Sequence, residues 1–144
     1  MYFPMFINLE NKNIVVFGAG KIALRRVKVL INSKCNITVV APEILKDFYN
    51  INNINIIKDS YNKKYLKNAF IVLAITNDNN INNKIYFDCK ENNIIVNVAS
   101  DKNKCDFFFP GVIYKESYTI GICGNGKNHK LIKNIKNKIK DFLN

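Results

Sequence analysis

Histidine is nearly absent: His129 is the only one, in a polar, lysine-rich context, which excludes a metal centre built on several imidazoles. No metal ligands are therefore assigned. Cysteine is sparse and scattered. Cys35, Cys89, Cys105 and Cys123 form no Cys-x-x-Cys pair, so neither a zinc ribbon nor a redox dithiol is written into the chain, and ordinary buried thiols are expected. Acidic residues are few, 11 against 22 basic ones, giving a formal charge of +11. That shortage of negative charge favours an acidic partner: nucleic acid, an anionic membrane, or a small molecule with several carboxylates. It does not choose among them, and a composition rich in Asn, Ile and Lys throughout accounts for the charge equally well. Long apolar runs are missing too. None approaches the roughly 20 residues that span a bilayer. Residues 1–9 contain Pro4 and lack the basic start of a secretion signal. A cytoplasmic protein is the expectation.

What is present fits one compact α/β fold, since 144 residues with 48% hydrophobic content can bury a sizeable core. Asn13–Phe17 is a β-branched and aromatic run ending at a glycine turn, the pattern of a buried parallel strand. Over residues 21–32, Ile22, Ala23, Val27, Leu30 and Ile31 recur at helical spacing, with Arg25, Arg26 and Lys28 between them. Asn36–Val40 reads as a second strand, stopped by Ala41-Pro42, and Ile54–Ile57 as a third. Residues 70–75 are almost unbroken apolar, as a strand covered on both faces requires. Asp78 then caps a helix reaching about Glu91, with Ile81, Ile85 and Cys89 inward, and residues 94–98 form a fifth strand. This alternation predicts a Rossmann-type doubly wound parallel sheet with right-handed crossovers.

Beyond Ala99 the pattern changes. A polar loop leads to Phe107-Phe108-Phe109-Pro110, then a hairpin over residues 112–123 turning near Glu116-Ser117. A basic amphipathic helix over residues 127–143 follows, with Leu131, Ile135, Ile139 and Phe142 as its apolar stripe. The expected division is residues 1–99 as the dinucleotide-binding domain and 100–144 as a hairpin-plus-helix appendage. So small an appendage needs a surface to pack on, either the core or a second subunit.

The first strand and first helix are joined by Gly18-Ala19-Gly20-Lys21-Ile22-Ala23, a G-x-G-x-x-A motif in the strand-loop-helix setting that dinucleotide binding requires. Gly18 permits the tight turn, Gly20 lets the backbone approach a pyrophosphate, and Ala23 keeps helix and strand close. The helix start supplies free N–H groups to the phosphates. The acidic residue that reads the cofactor ribose is expected at the end of the second strand; Glu43, after Pro42, stands slightly beyond it and leans the choice toward NAD over NADP.

With these features the chain resembles the precorrin-2 dehydrogenase family, the amino-terminal part of siroheme synthases. The carrying segments are Phe3-Pro4-Met5-Phe6-Ile7-Asn8-Leu9, Val15-Val16-Phe17-Gly18-Ala19-Gly20-Lys21-Ile22-Ala23-Leu24-Arg25-Arg26 and Ile37-Thr38-Val39-Val40-Ala41-Pro42-Glu43. Leu73-Ala74-Ile75-Thr76-Asn77-Asp78, Val96-Asn97-Val98-Ala99 and Cys105-Asp106-Phe107-Phe108-Phe109-Pro110 complete them. The resemblance implies oxidation of precorrin-2 to sirohydrochlorin with NAD as hydride acceptor, on the path to siroheme or cobalamin, and in some members iron insertion. It also implies that Lys21, Ile22, Pro42 and Glu43 line the cofactor with Gly18, Ala19 and Gly20. Thr76 and Asn97 are then expected at strand carboxyl ends, where ligands of such sheets gather. Precorrin-2 carries many carboxylates, which suits the +11 charge. A homodimer formed through the segment after Ala99 is expected.

Two departures from the family stand out. Where many members carry an aspartate, three positions after the Asn of Val-Asn-Val, this chain has Ser100, followed by Asp101. A carboxylate serves as a base or holds a metal, whereas a hydroxyl does neither unaided. Either Asp101 takes the role through a shift of its loop, with Ser100 beside it, or deprotonation is left to solvent. The second departure is the stretch Cys123-Gly124-Asn125-Gly126-Lys127-Asn128-His129 and the stop at Asn144, where the family continues into a helical region that encloses the tetrapyrrole. Iron insertion is the activity most affected. Two other readings compete: a non-catalytic NAD- or tetrapyrrole-binding module, and a charge-driven nucleic-acid or membrane-surface protein using the basic terminal helix. The expectation keeps the enzyme first, with no nucleic acid and no membrane as partners.

Overall fold

The structure, a computed structural model, describes residues 3–124 and 128–143. Of the altered stretch around residue 126, Asn125, Gly126 and Lys127 lie outside the described residues. The chain divides into two compact units, Met1–Asp106 and Phe107–Asn144.

In the first unit, β1 (Asn13–Phe17), β2 (Asn36–Val40), β3 (Ile54–Ile57), β4 (Ile71–Ala74) and β5 (Ile95–Val98) form one parallel sheet ordered β3-β2-β1-β4-β5. The doubly wound α/β sheet read from the sequence is the one observed. Helix α1 (Lys21–Leu30) crosses from β1 to β2, and α2 (Asn79–Glu91) from β4 to β5. Because these crossovers run in opposite directions, right-handedness sets the two helices on opposite faces. The other two crossovers carry only short 3-10 turns, Lys46–Asn50 and Lys63–Leu66.

Strand alternation then sorts the core into two layers. Val15, Phe17, Val40, Val72, Ala74, Val96 and Val98 pack with Ile85 and Cys89 of α2. The alternate residues form a row across the other face, Ile56–Val39–Val16–Leu73–Asn97, each paired with its neighbour in register. Apolar side chains fill that row until its last position, where the buried Asn97 interrupts it.

The first unit runs past the expected boundary at Ala99 because residues 101–106 fold back along β5. Asp106 N–H donates to the Val96 carbonyl at 2.9 Å, and Val96 N–H donates to the Asp106 carboxylate at 2.9 Å. Cys105 Sγ lies 3.2 Å from the Val98 carbonyl. This segment thereby completes the edge of the sheet, so it belongs with the strands.

The second unit is an antiparallel hairpin, β6 (Gly111–Tyr114) and β7 (Thr119–Ile122), with helix α3 (His129–Phe142) lying against β6. Asn128 caps α3 by accepting from Leu131 N–H at 2.9 Å. The inward stripe differs from the expected one. Ile132, Ile135, Ile139 and Leu143 are half-buried, while Leu131 and Phe142 are 50% and 89% exposed. Ile132 packs tightly on Gly124, just past β7, where an added Cβ would stand 2.9 Å from its side chain, and this contact turns Ile132 inward. Among the described residues, no helix is long and apolar enough to cross a membrane.

One polar cluster ties the β3–β4 connection to α2. The Tyr61 ring stacks edge-on against Phe17 at 4.8 Å, and its hydroxyl donates to Asp88 at 2.5 Å. Lys63 pairs with Asp88 at 3.2 Å and with Glu91 at 2.9 Å. Burial disfavours ionised Asp88, but hydrogen bonds from Tyr61 and Lys63 outweigh it and hold its carboxyl below the ordinary aspartate value. Burial and the Asp88 bond push the Tyr61 hydroxyl well up, so it remains a donor. A depressed carboxyl stabilises the fold above its unfolded-state pKa, and that contribution disappears as pH falls through the folded one. Asp88→Asn is expected to lose roughly 1.5 kcal/mol at neutral pH, the low end for a charged hydrogen bond because Lys63 is half in water. Urea unfolding at pH 7 and pH 3 checks it: the gap between wild type and variant must shrink at the lower pH.

Candidate functional site

The strand order reverses between β1 and β4, and at such a reversal the loops leaving the carboxyl ends diverge and open a crevice. Gly18 leaves β1 with φ +106°, and a Cβ on it would lie 2.3 Å from the Ile75 carbonyl oxygen and 3.0 Å from Thr76 N. Nothing but glycine fits. Gly20 is different. It is the N-cap of α1 with φ −91° and ψ −171°, a conformation open to any residue, and an added Cβ would meet nothing within 4 Å. The fold itself has no need of glycine at that position.

No side chain caps α1, so its first backbone N–H groups and the positive end of its dipole are left for an external anion. Ala23, completely buried, keeps the helix close to the sheet. A bare Gly20, an uncapped helix start and open space above them fit the pyrophosphate of a dinucleotide.

The other expected cofactor residues divide into two groups. Lys21 and Ile22 are exposed on the first turn of α1, and Pro42 and Glu43 are exposed on the loop after β2. Leu45 N–H donates to the Ala19 carbonyl at 3.1 Å, which holds that loop against the glycine turn. Thr76, half-buried, follows β4 beside Gly18. These residues therefore gather at one end of the sheet. Asn97 does not join them at the surface. It is 2% exposed inside β5, and its carboxamide oxygen accepts from the Arg26 guanidinium. Arg25 and Arg26, neighbours in sequence, separate here: Arg25 is exposed, while Arg26 is half-buried with its pKa lowered by burial.

Ser100 and Asp101, the expected catalytic pair, also part company. Ser100 is exposed on the loop after β5. Asp101 caps the short turn Lys102–Lys104, accepting from Asn103 N–H at 3.0 Å, with Lys104 Nζ at 3.7 Å. One carboxylate oxygen thus serves the turn, while the side chain stays 37% exposed. The sequence reading missed Asn82, 1% exposed on α2. Its Oδ1 accepts from Thr76 N–H at 3.0 Å and Thr76 Oγ1 at 2.8 Å. Its Nδ2 donates to the Thr76 carbonyl at 3.0 Å and lies 3.4 Å from Ser100 Oγ. The available signal was its spacing: position 82 stands three residues before Ile85 and seven before Cys89, on the inward face of α2.

Residues 5–111 match the family NAD_binding_7, described as "Putative NAD(P)-binding". The chain belongs to this NAD(P)-binding family. Among similar proteins, "Probable multifunctional siroheme biosynthesis protein HemA" of Ruminiclostridium josui is 37% identical over 142 residues, 96% of this chain and 28% of that protein. "Siroheme synthase" of Buchnera aphidicola subsp. Acyrthosiphon pisum is 32% identical over 145 residues, 99% of this chain and 31% of its own length. The chain thus spans less than a third of either relative. The solved structure of "SirC, precorrin-2 dehydrogenase" superposes with a TM-score of 0.79 at 26% identity, covering 99% of this chain and 71% of that one. The resemblance read from the sequence is borne out.

The two glycines differ in what the fold asks of them: Gly18 is required by its contact with the Ile75 carbonyl, and Gly20 is not. Gly18→Ala is expected to cost about 3 kcal/mol or more, from positive-φ strain plus a clash with backbone that cannot yield. Gly20→Ala should stay within about 1 kcal/mol of wild type. Thermal and urea unfolding of both variants read the difference directly.

Proposed function

We propose that this chain oxidises precorrin-2 to sirohydrochlorin with NAD as the acceptor. The observation that carries the reading is the glycine cradle, with Gly20 bare for no internal reason, in a chain that resembles SirC over 99% of its length. Gly18, Ala19, Gly20, Lys21 and Ile22 hold the pyrophosphate, Pro42 and Glu43 border the adenosine ribose, and Thr76 borders the opposite half. Asn97, buried in β5, holds the Arg26 guanidinium. When bound, NAD supplies the hydride acceptor. The chain binds and orients the substrate, and its +11 charge raises the local concentration of a molecule rich in carboxylates.

The oxidation releases one hydride and one proton, giving sirohydrochlorin, NADH and H⁺. With the Asp101 carboxylate engaged in its turn, the proton passes to solvent at the exposed loop carrying Ser100. The proposed activity is the dehydrogenation alone, without iron insertion. A non-catalytic NAD- or tetrapyrrole-binding module is the second reading, favoured by Ser100 in place of a carboxylate.

The test follows NADH absorbance and the sirohydrochlorin spectrum together, with enzymatically generated precorrin-2 and NAD. Turnover is expected in wild type, and Asp101→Asn, which still caps its turn, should keep it within about twofold. Gly20→Ala, though folded, should bind NADH at least about tenfold more weakly, since its methyl group fills the space kept for phosphate. NADH binding by wild type without turnover selects the binding module.

We also propose a homodimer through the second unit. Ile113 is its sole buried residue among those described, while Leu131, Phe142, Tyr114 and Tyr118 are exposed. Sedimentation should give the dimer mass for wild type and the monomer mass for a Leu131→Lys, Phe142→Lys double variant. A monomeric wild type overturns the assembly.

A further inference from the structure

Asn82 is an unusual choice for the inner face of a helix, because a buried carboxamide costs stability unless every polar atom finds a partner. Here all of them do. A carboxamide offers two acceptor sites and two donors; Asn82 Oδ1 faces Thr76 N–H and the Thr76 hydroxyl, whose one proton it shares with the Asp78 carbonyl, and its two donors face the Thr76 carbonyl and Ser100 Oγ. That pattern also fixes which end is oxygen, since a flipped amide would set NH₂ against the Thr76 N–H. Aspartate lacks the donors, and leucine, which shares the branched outline but is larger, lacks every hydrogen-bonding group. The start of α2 leaves Asn82 free for the task, because Asp78 Oδ1 accepts from Asn80 N–H at 2.7 Å and Ile81 N–H at 3.3 Å.

Thr76 leaves β4 and Ser100 follows β5, so one side chain spans the two loops on the side of the reversal away from Pro42 and Glu43. A dinucleotide lying across the reversal with its adenosine at the β2 loop has its redox end on this opposite side. We propose that Asn82 is a positioning residue that sets the gap between the β4 and β5 loops, into which the nicotinamide half of the cofactor enters. The inference rests on the NAD-dependent reading above. Asn82 touches neither cofactor nor substrate; it acts through the Thr76 backbone, which already abuts Gly18, and through the Ser100 hydroxyl. Neighbouring strand ends are thereby locked as a unit.

The test compares wild type, Asn82→Leu and Asn82→Asp. NADH binding is followed by its fluorescence and by calorimetry, stability by thermal unfolding, and turnover by separate KM and kcat for NAD. Asn82→Leu keeps the branched outline and loses all four bonds, so NADH affinity should fall about tenfold, with kcat at saturating NAD falling by a similar factor. Asn82→Asp retains the acceptor oxygen facing Thr76 N–H but sets its second oxygen against the Thr76 carbonyl, so its NADH affinity should also fall by several-fold; if the leucine variant does not fold, the aspartate variant decides alone. Variants with altered melting temperature but wild-type NADH affinity, KM and kcat overturn the proposal, leaving Asn82 with a packing role. Wild-type protein that binds NADH but does not oxidise precorrin-2 defeats the functional reading only, and the binding arm still judges Asn82. Wild-type protein that binds no NADH removes both.

Discussion

The carboxyl end of the sheet depends on one close approach, that of the Gly18 α-carbon to the Ile75 carbonyl. A Cβ there would stand 2.3 Å from that oxygen, so the first residue after β1 can sit against the loop after β4 only because it has no side chain. Gly18 N–H donates to the Val40 carbonyl at 3.0 Å, and Ile75 N–H donates to the Phe17 carbonyl at 2.8 Å. The ends of β2, β1 and β4 are thereby joined through one residue at positive φ. Gly20, the open start of α1 and Thr76 take their positions from that junction. Strain at one backbone position is tolerated because packing and hydrogen bonds on both sides leave it no alternative.

Much of this was legible in the chain because the signals are local. β1, β2 and β3 begin and end at the residues read from the sequence, since a β-branched run bounded by glycine, proline or asparagine carries its own limits. Asp78 as the cap of α2 was legible for the same reason. What stayed hidden depends on contacts distant in sequence. Arg26 and Asn97 are 71 positions apart, and nothing near either announces that a guanidinium from α1 ends an apolar row by meeting β5. The fold-back to Asp106 and the inward turn of Ile132 on α3 are of the same kind: each is decided by an opposing surface that periodicity does not describe.

Asn82 and Asp101 illustrate the limit of residue-type reasoning at a site. A carboxylate beside an expected catalytic position draws attention, and an asparagine on a helix does not. Asp101 is occupied by its own turn, while Asn82 reaches two loops from beneath with its hydrogen-bonding capacity filled. Position in the sequence suggested chemistry for the first; only the fold reveals an architectural role for the second.

The fold-back at Asp106 carries a further consequence. β5 is an outer strand, and an outer strand with free backbone groups is a template on which another chain can pair and begin to aggregate. Val96 spends both its outward groups on Asp106, and the Val98 carbonyl accepts from Asp101 N–H at 3.3 Å and faces the Cys105 thiol. The carboxylate that closes this edge is paired with Lys90, so a charged pair also stands where a foreign strand would approach. A chain rich in isoleucine thus keeps this outer strand closed to misassembly.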